Sequence, residues 1–247
     1  MTIENMTVSH NAGNISATAY LPEKEQYPFV IFSHGFNGSG NDFKNQATVL
    51  AENGIGAFTF DFRGGSIYSK SDMKTTEMTV FTEKEDLFAV LDFVKSLSSA
   101  DPNNIFLFGA SMGGLVSALT ADERPDDIKG IILLYPAFCI ADDWNRIFTD
   151  INDIPEIHKV WDVPLGKCFF ESLHDFSVFE HIGKYPKNVL IMHGDKDSVV
   201  SVEYGRKADR LYPNSVFELF SGEGHGFSPE ADRRVTQMLL EFVNNTI

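Results

Sequence analysis

The sequence predicts an α/β fold: a mostly parallel sheet of about eight strands with helices packed on both faces. Three observations carry that expectation. Continuous apolar runs recur along the chain, as in "PFVIFS", "IGAFTFDF" and "NIFLFG", and such runs suit parallel strands buried on both faces. Segments with the 3.6-residue spacing of amphipathic helices lie between them. Glycines and short polar clusters punctuate the transitions.

Two alternating segments, around Ile3–Val8 and Ile15–Leu21, open the chain and read as antiparallel strands. Phe29–Ser33 is the first buried run, and "FKNQATVLAENG" is a helix closed by Gly54. After the strand "IGAFTFDF", a loop leads to a helix from about Thr79, where Thr-x-x-Glu suggests a capping box. Leu87, Val90, Leu91, Val94 and Leu97 form its core-facing stripe. "ADPNN" turns the chain into the strand Ile105–Phe108, and the helix after Ser111 runs to about Ala121. "IKGIILLYPAF", "KNVLIMHGD" and "SVFELFSG" supply three more strands. Helices near Val202–Leu211 and Pro229–Val243 complete the alternation.

Residues 137–183 break the pattern. They hold both tryptophans, several phenylalanines and no clean strand. A structureless connection of that length is unusual in a compact domain, so a helical cap over one end of the sheet is expected. The division is then a core of residues 1–136 and 184–247 with an inserted cap, 137–183.

Composition narrows the function classes. A net charge of −15 makes the general field repulsive to phosphates, which argues against nucleic acid and anionic membranes as partners. Cys139 and Cys168 lack metal or redox spacing and read as free thiols. The N-terminus lacks a basic, apolar leader, and no run is long enough to span a bilayer, so a cytoplasmic location is expected.

The chemistry concentrates at Gly109-Ala110-Ser111-Met112-Gly113, a Gly-x-Ser-x-Gly pentapeptide between a strand and a helix. A sharp turn there would lift the Ser111 hydroxyl above the sheet and aim helix N–H groups beside it. A serine needs a base, and the base needs an acid to orient it. His225, between glycines in "GEGHGF", is the base candidate. His34 and His193 end strands before glycine turns and suit bracing of backbone. Asp197 in "HGDKDSVV" is the acid candidate, with Asp195 its rival facing the turn. The order Ser111, Asp197, His225 fits a strand-ordered triad. Backbone N–H groups of Met112 and Phe36 would form an oxyanion hole.

In these motifs the chain resembles the α/β-hydrolase superfamily along nearly its whole length. The "HGF" loop, "GASMGG" elbow, "HGDKDSVV" loop and "GEGHGF" loop match in order. Within it the chain is similar to bacterial esterases close to the cinnamoyl (feruloyl) esterases, through "HGF", "DF.G", "MTV..E.ED", "HGDKDSVVS" and an inserted cap. The resemblance implies Ser111 as nucleophile, His225 as base, Asp197 as acid, and Phe36 with Met112 as the oxyanion hole. It implies that the cap shapes the pocket, with His34, Asp142, Asp143 and Trp144 as substrate-binding candidates. The expected activity is a serine carboxylesterase acting on a small or aromatic ester, with no cofactor and no metal. Thioesterase, lipase and serine peptidase share the same triad. A non-catalytic binding module of the same fold is a further alternative; its strongest support would be a missing triad member, and none is missing. The expected partner is a small-molecule ester, with a homodimer left open. A dinucleotide site is disfavoured, because the glycines at 35, 38 and 40 do not fit Gly-x-Gly-x-x-Gly, and Asp61 reads as a loop brace.

Overall fold

A computed structural model describes residues 1–247. Strands β1 (Thr2–His10), β2 (Gly13–Leu21) and β3 (Tyr27–Ser33) lead through a 3₁₀ turn at Gly40–Phe43 to helix α1 (Lys44–Glu52). Then follow β4 (Gly56–Phe60), α2 (Val80–Ser96), β5 (Ala100–Ala110), α3 (Met112–Glu123) and β6 (Gly130–Leu134). The inserted segment contains α4 (Ile140–Ile147), β7 (Ile157–Val160), β8 (Val163–Gly166), α5 (Lys167–Leu173) and α6 (Val178–His181). Strand β9 (Asn188–Gly194), α7 (Val202–Asp209), β10 (Ser215–Phe220) and α8 (Pro229–Thr246) close the chain.

Eight strands form one sheet in the order β1-β2-β4-β3-β5-β6-β9-β10. β1 and β2 pair antiparallel, as does β2 with β4, and every other pairing is parallel. The fold class read from the sequence is the one observed. The two-residue period of the strands sends alternate side chains to two cores. Phe29, Ile31, Ile105, Leu107, Ile131 and Leu133 join one core with α2 and α3. Val30, Phe32, Phe106, Phe108, Ile132 and Leu134 join the other with α1 and α8. With both faces covered, polar alternation is impossible, which is why these strands read as unbroken apolar runs.

The chain order reverses around β3: β4 lies on one side of it and β5 on the other. Loops leaving the carboxyl ends of β3 and β5 therefore diverge and leave a crevice between them, the usual ligand position in such sheets. The capping box of α2 pairs Thr79 with Thr82 instead of a glutamate: the Thr79 hydroxyl accepts from Thr82 N–H, and Thr79 N–H donates to Thr82 Oγ1 at 2.8 Å. Helix start and cap position agree with the sequence; the residue closing the box does not.

The inserted segment differs from expectation in one respect. Its centre is a two-stranded hairpin, β7 with β8, not an all-helical array. The turn residues Trp161 and Asp162 both take positive φ, 48° and 67°. Two-residue hairpins favour that geometry, but their usual signal is Asn-Gly or Asp-Gly, and Trp-Asp carries neither. Ile154, Val163, Leu165, Phe169, Phe170 and Leu173 of the segment pack into the same core as α2 and α3. Asp61 accepts from Gly40 N–H at 2.8 Å and Lys70 N–H at 3.0 Å, the loop brace expected of it. Both cysteines are free, and no helix is long and apolar enough to cross a membrane.

Backbones pack in close contact where β3, β5 and α3 meet. A Cβ on Gly113 would sit 2.2 Å from Ser33 O, and one on Gly109 would sit 2.2 Å from Gly113 O. Gly113→Ala is expected to lower stability by about 3 kcal/mol, since only backbone could yield. Gly222→Ala, at φ 84° with nothing within 4 Å, should cost about 1 kcal/mol from its backbone conformation alone. Urea unfolding of the two variants checks the ranking; equal losses would contradict it.

Candidate active site

Ser111 sits at the N-cap of α3 with φ 52° and ψ −119°, a conformation unfavourable for any residue bearing a Cβ. The surroundings fix it from both sides. Its N–H donates to Leu134 O at 2.9 Å, and its C=O accepts from Ala137 N–H and Gly114 N–H, each at 2.9 Å. The end of β6 thus holds the turn that follows β5.

His225 lies in the loop after β10 and faces Ser111 across the sheet edge. Its Nε2 is 3.0 Å from Ser111 Oγ, and its Nδ1 is 2.8 Å from Asp197 Oδ2. Gly226, at φ 85°, provides the left-handed step that lets this short loop project the imidazole. Tyr135, itself at φ 36°, packs its ring 4.7 Å from the imidazole, limiting where the ring can swing.

Asp197 has a fully buried side chain in the loop after β9. Its Oδ1 accepts from Val199 N–H at 2.9 Å and Val200 N–H at 2.8 Å, leaving Oδ2 to His225. His193, also fully buried, stands behind it with Nε2 3.0 Å from Val200 O and 3.3 Å from Asp197 Oδ2. Burial is the main cause holding the His193 ring below its ordinary pKa, so it is neutral and donates through Nε2. Asp195 turns away: Oδ1 accepts from Gly222 N–H at 2.6 Å and Oδ2 from the Ser221 hydroxyl at 3.2 Å.

His34 requires a correction as a substrate-binding residue. It is fully buried; Nδ1 donates to Gly35 O at 2.7 Å, and Nε2 accepts from Phe62 N–H at 3.0 Å. Both nitrogens are spent on backbone, so His34 braces the loop that carries Phe36. The N–H groups of Phe36 and Met112 donate to no other group in the chain. A Cβ on Gly35 would lie 3.1 Å from Ser111 Cβ, which measures how closely that loop approaches the serine.

Two cavities open at Ser111. One, of about 450 Å³, is lined by Phe36, Met112, Cys139, Ile140, Asp143, Trp144, Val160, Trp161, Phe169 and Val199 among others, most of them apolar and from the inserted segment. The other, of about 270 Å³, includes His225, Tyr135, Asp42, Gln46 and Asp232. Phe36, Ser111 and Trp161 border both. Of the remaining sequence candidates, Trp144 and Asp143 line the first cavity, whereas Asp142 accepts from the Tyr204 hydroxyl at 2.8 Å and lines neither. Trp161, Tyr135 and Ser198–Val200 were not singled out from the sequence. Only the aromatic richness around Trp161 hinted at one of them.

The comparisons with known proteins agree on the fold and vary in activity. Residues 24–171 match the family model described as "Serine aminopeptidase, S33". The chain is 34% identical to the non-heme chloroperoxidase CPO-A1 of Kitasatospora aureofaciens, over 87% of this chain and 92% of that protein. It is 26% identical to putative esterase/lipase 2 of Mycoplasma genitalium, with 97% of each covered. Among solved structures, Est1E of Butyrivibrio proteoclasticus with bound ferulic acid superposes with a TM-score of 0.89, at 27% identity and 98% coverage of both chains.

Asp197→Asn should lower turnover by about 10⁴-fold through loss of imidazole orientation, while Asp195→Asn should stay within about tenfold of the parent. Steady-state kinetics on one ester checks both, and the reverse order would exchange their roles. Folding stability has its own pH signature. Burial keeps His34 and His193 below the ordinary histidine value, so the unfolded chain takes up protons first. Stability should therefore fall as pH drops below about 6.5. Urea titrations at pH 7.5 and 5.5 read that loss, and His193→Gln should lessen it.

Proposed function

This chain belongs to the α/β-hydrolase superfamily, and from that premise we propose that it is a serine carboxylesterase working through an acyl-enzyme. The unbroken run Asp197–His225–Ser111, opening on two cavities of different polarity, is the observation that carries the reading. Ser111 Oγ attacks the ester carbonyl as His225 Nε2 takes its proton. Asp197 fixes the ring with its proton on Nδ1 and stabilises the imidazolium. The Phe36 and Met112 N–H groups receive the negative oxygen of the tetrahedral intermediate. His225 then protonates the departing alcohol, and water repeats the cycle to release the acid.

The two cavities divide the substrate. The leaving oxygen must collect its proton from His225, so the alcohol occupies the cavity that His225 lines. The acyl group then occupies the apolar cavity beside Met112, where Trp144, Trp161 and Phe169 favour a flat or aromatic acid. The likeness to Est1E, a structure holding ferulic acid, supports a hydroxycinnamoyl group as one such acid. Residues 137–183 act as a cap in this reading, because they wall the acyl side. A serine peptidase is the second reading, favoured by the description of the matching family model.

The test is burst kinetics on p-nitrophenyl butyrate, methyl ferulate, an acyl thioester and a peptide amide. Turnover should rank the esters first. Ser111→Ala should lose at least about 10³-fold while keeping its fold. Undiminished activity in that variant would refute the nucleophile, and preference for the amide would favour the peptidase.

A further inference from the structure

The cavity on the His225 side is chemically unlike its neighbour. Its carboxylates, Asp42 and Asp232, come from the 3₁₀ turn after β3 and the first turn of α8. No lysine or arginine lines it. The aromatic residues Tyr135, Trp161 and Phe36 complete the walls. Acids joined by aromatic rings and lacking a counter-cation are the composition that recognises organic ammonium ions. Resting on the hydrolase reading above, we propose that this cavity binds an ammonium group carried on the leaving alcohol, so that the preferred substrates are esters of cationic amino alcohols.

Two further observations point the same way. Gln46, 4% exposed, donates from Nε2 to Asp232 Oδ1 at 2.7 Å. That orientation leaves its buried Oε1 with no donor, an unsatisfied acceptor on a residue that lines the cavity. The Tyr135 phenol is held above its ordinary pKa by burial first, and then by Asp232, Asp197 and Asp42. Three carboxylates thus act on one point of the cavity wall. Asp42 is partly engaged by Ser39, whose N–H donates to Oδ2 at 2.9 Å, but that contact leaves its charge uncompensated. A neutral polyol could share hydrogen bonds here. Only a cation also offsets the negative charge of the two carboxylates.

The reaction balances without a co-reactant other than water. The bond from Ser111 Oγ to the acyl carbon forms as the carbon–alkoxy bond breaks, and the serine proton passes through His225 to the departing oxygen. Water then cleaves the acyl-enzyme. The products are a carboxylic acid and the free ammonium alcohol.

The experiment compares butyrylcholine with 3,3-dimethylbutyl butyrate, in which carbon replaces the charged nitrogen, and with glycerol monobutyrate. The cationic ester is expected to show a kcat/KM about tenfold or more above its neutral isostere. In the Asp42→Asn, Asp232→Asn double variant that ratio should fall toward one. The ratio is read within each protein preparation, so partial loss of fold cancels. A wild-type ratio near one, a ratio unchanged in the double variant, or preference for the glycerol ester overturns the proposal. Calorimetric titration of choline into Ser111→Ala protein separates it from the hydrolase reading. Saturable binding weakened by the two aspartate changes supports the cavity even if no ester turns over. Absence of binding by wild-type and Ser111→Ala proteins alike rejects the cavity, whatever esters are hydrolysed.

Discussion

The close approach of three backbones at Ser111 is the constraint on which the remainder of the structure depends. β5 must end, α3 must begin and the loop after β3 must pass, all within contact distance. Glycine at 109 and 113 permits it, because a Cβ at either would stand 2.2 Å from a carbonyl oxygen. The consequence is a serine at φ 52°, which the chain would not adopt in isolation. The strain persists because hydrogen bonds to Leu134 and from Ala137 fix both sides of the residue. The same closeness brings the Phe36 loop against the serine, so the proposed nucleophile and the proposed oxyanion donors are set by one packing event. The geometry of the candidate site is a property of the core.

The acid side of the site is built by a different device. Asp197 is buried, and a lone buried carboxylate is costly unless hydrogen bonds compensate it. Two backbone N–H groups and the His225 ring supply them, with neutral His193 behind. Gly205 makes room for that second histidine: a Cβ there would lie 2.8 Å from His193 Nδ1. Ser111 is thus positioned by strain, and Asp197 by satisfaction of its lone pairs. His225 is left to bridge them from a glycine-flanked loop, the one part of the triad that has to move protons.

These differences explain which features the sequence disclosed. Ser111, Asp197 and His225 were legible because each sits in a local glycine-containing turn whose purpose can be read from neighbouring residues. The strands were legible because burial on both faces forces apolar runs. The β7–β8 hairpin was not, since Trp161 and Asp162 take positive φ at its exposed turn without the glycine or asparagine that usually signals one. His34 was assigned to two roles from its place at a strand end; only the structure shows both its nitrogens bonded to backbone. Gln46 and Asp232 meet across 186 positions, and no local pattern can announce such a pair. Features made by the chain's immediate neighbours can be read in advance. Features made by contact between distant segments cannot.

The asymmetry of the two cavities also bears on the second half of the proposed esterase reaction. Deacylation reverses the proton path of acylation: His225 must take a proton from water where it had just given one to the alcohol. Water must therefore enter on the side that the alcohol vacates. That side is polar and carries Asp42 and Asp232, whereas the acyl side is walled by aromatic and aliphatic residues of the inserted segment. An apolar acyl group loses little by remaining in its cavity while a polar alcohol exchanges with solvent next door. Trp161, Phe36 and Ser111 border both cavities. In that reading, an apolar wall on one side of the serine and a more polar one on the other let a single histidine serve both half-reactions without the intermediate having to reorient.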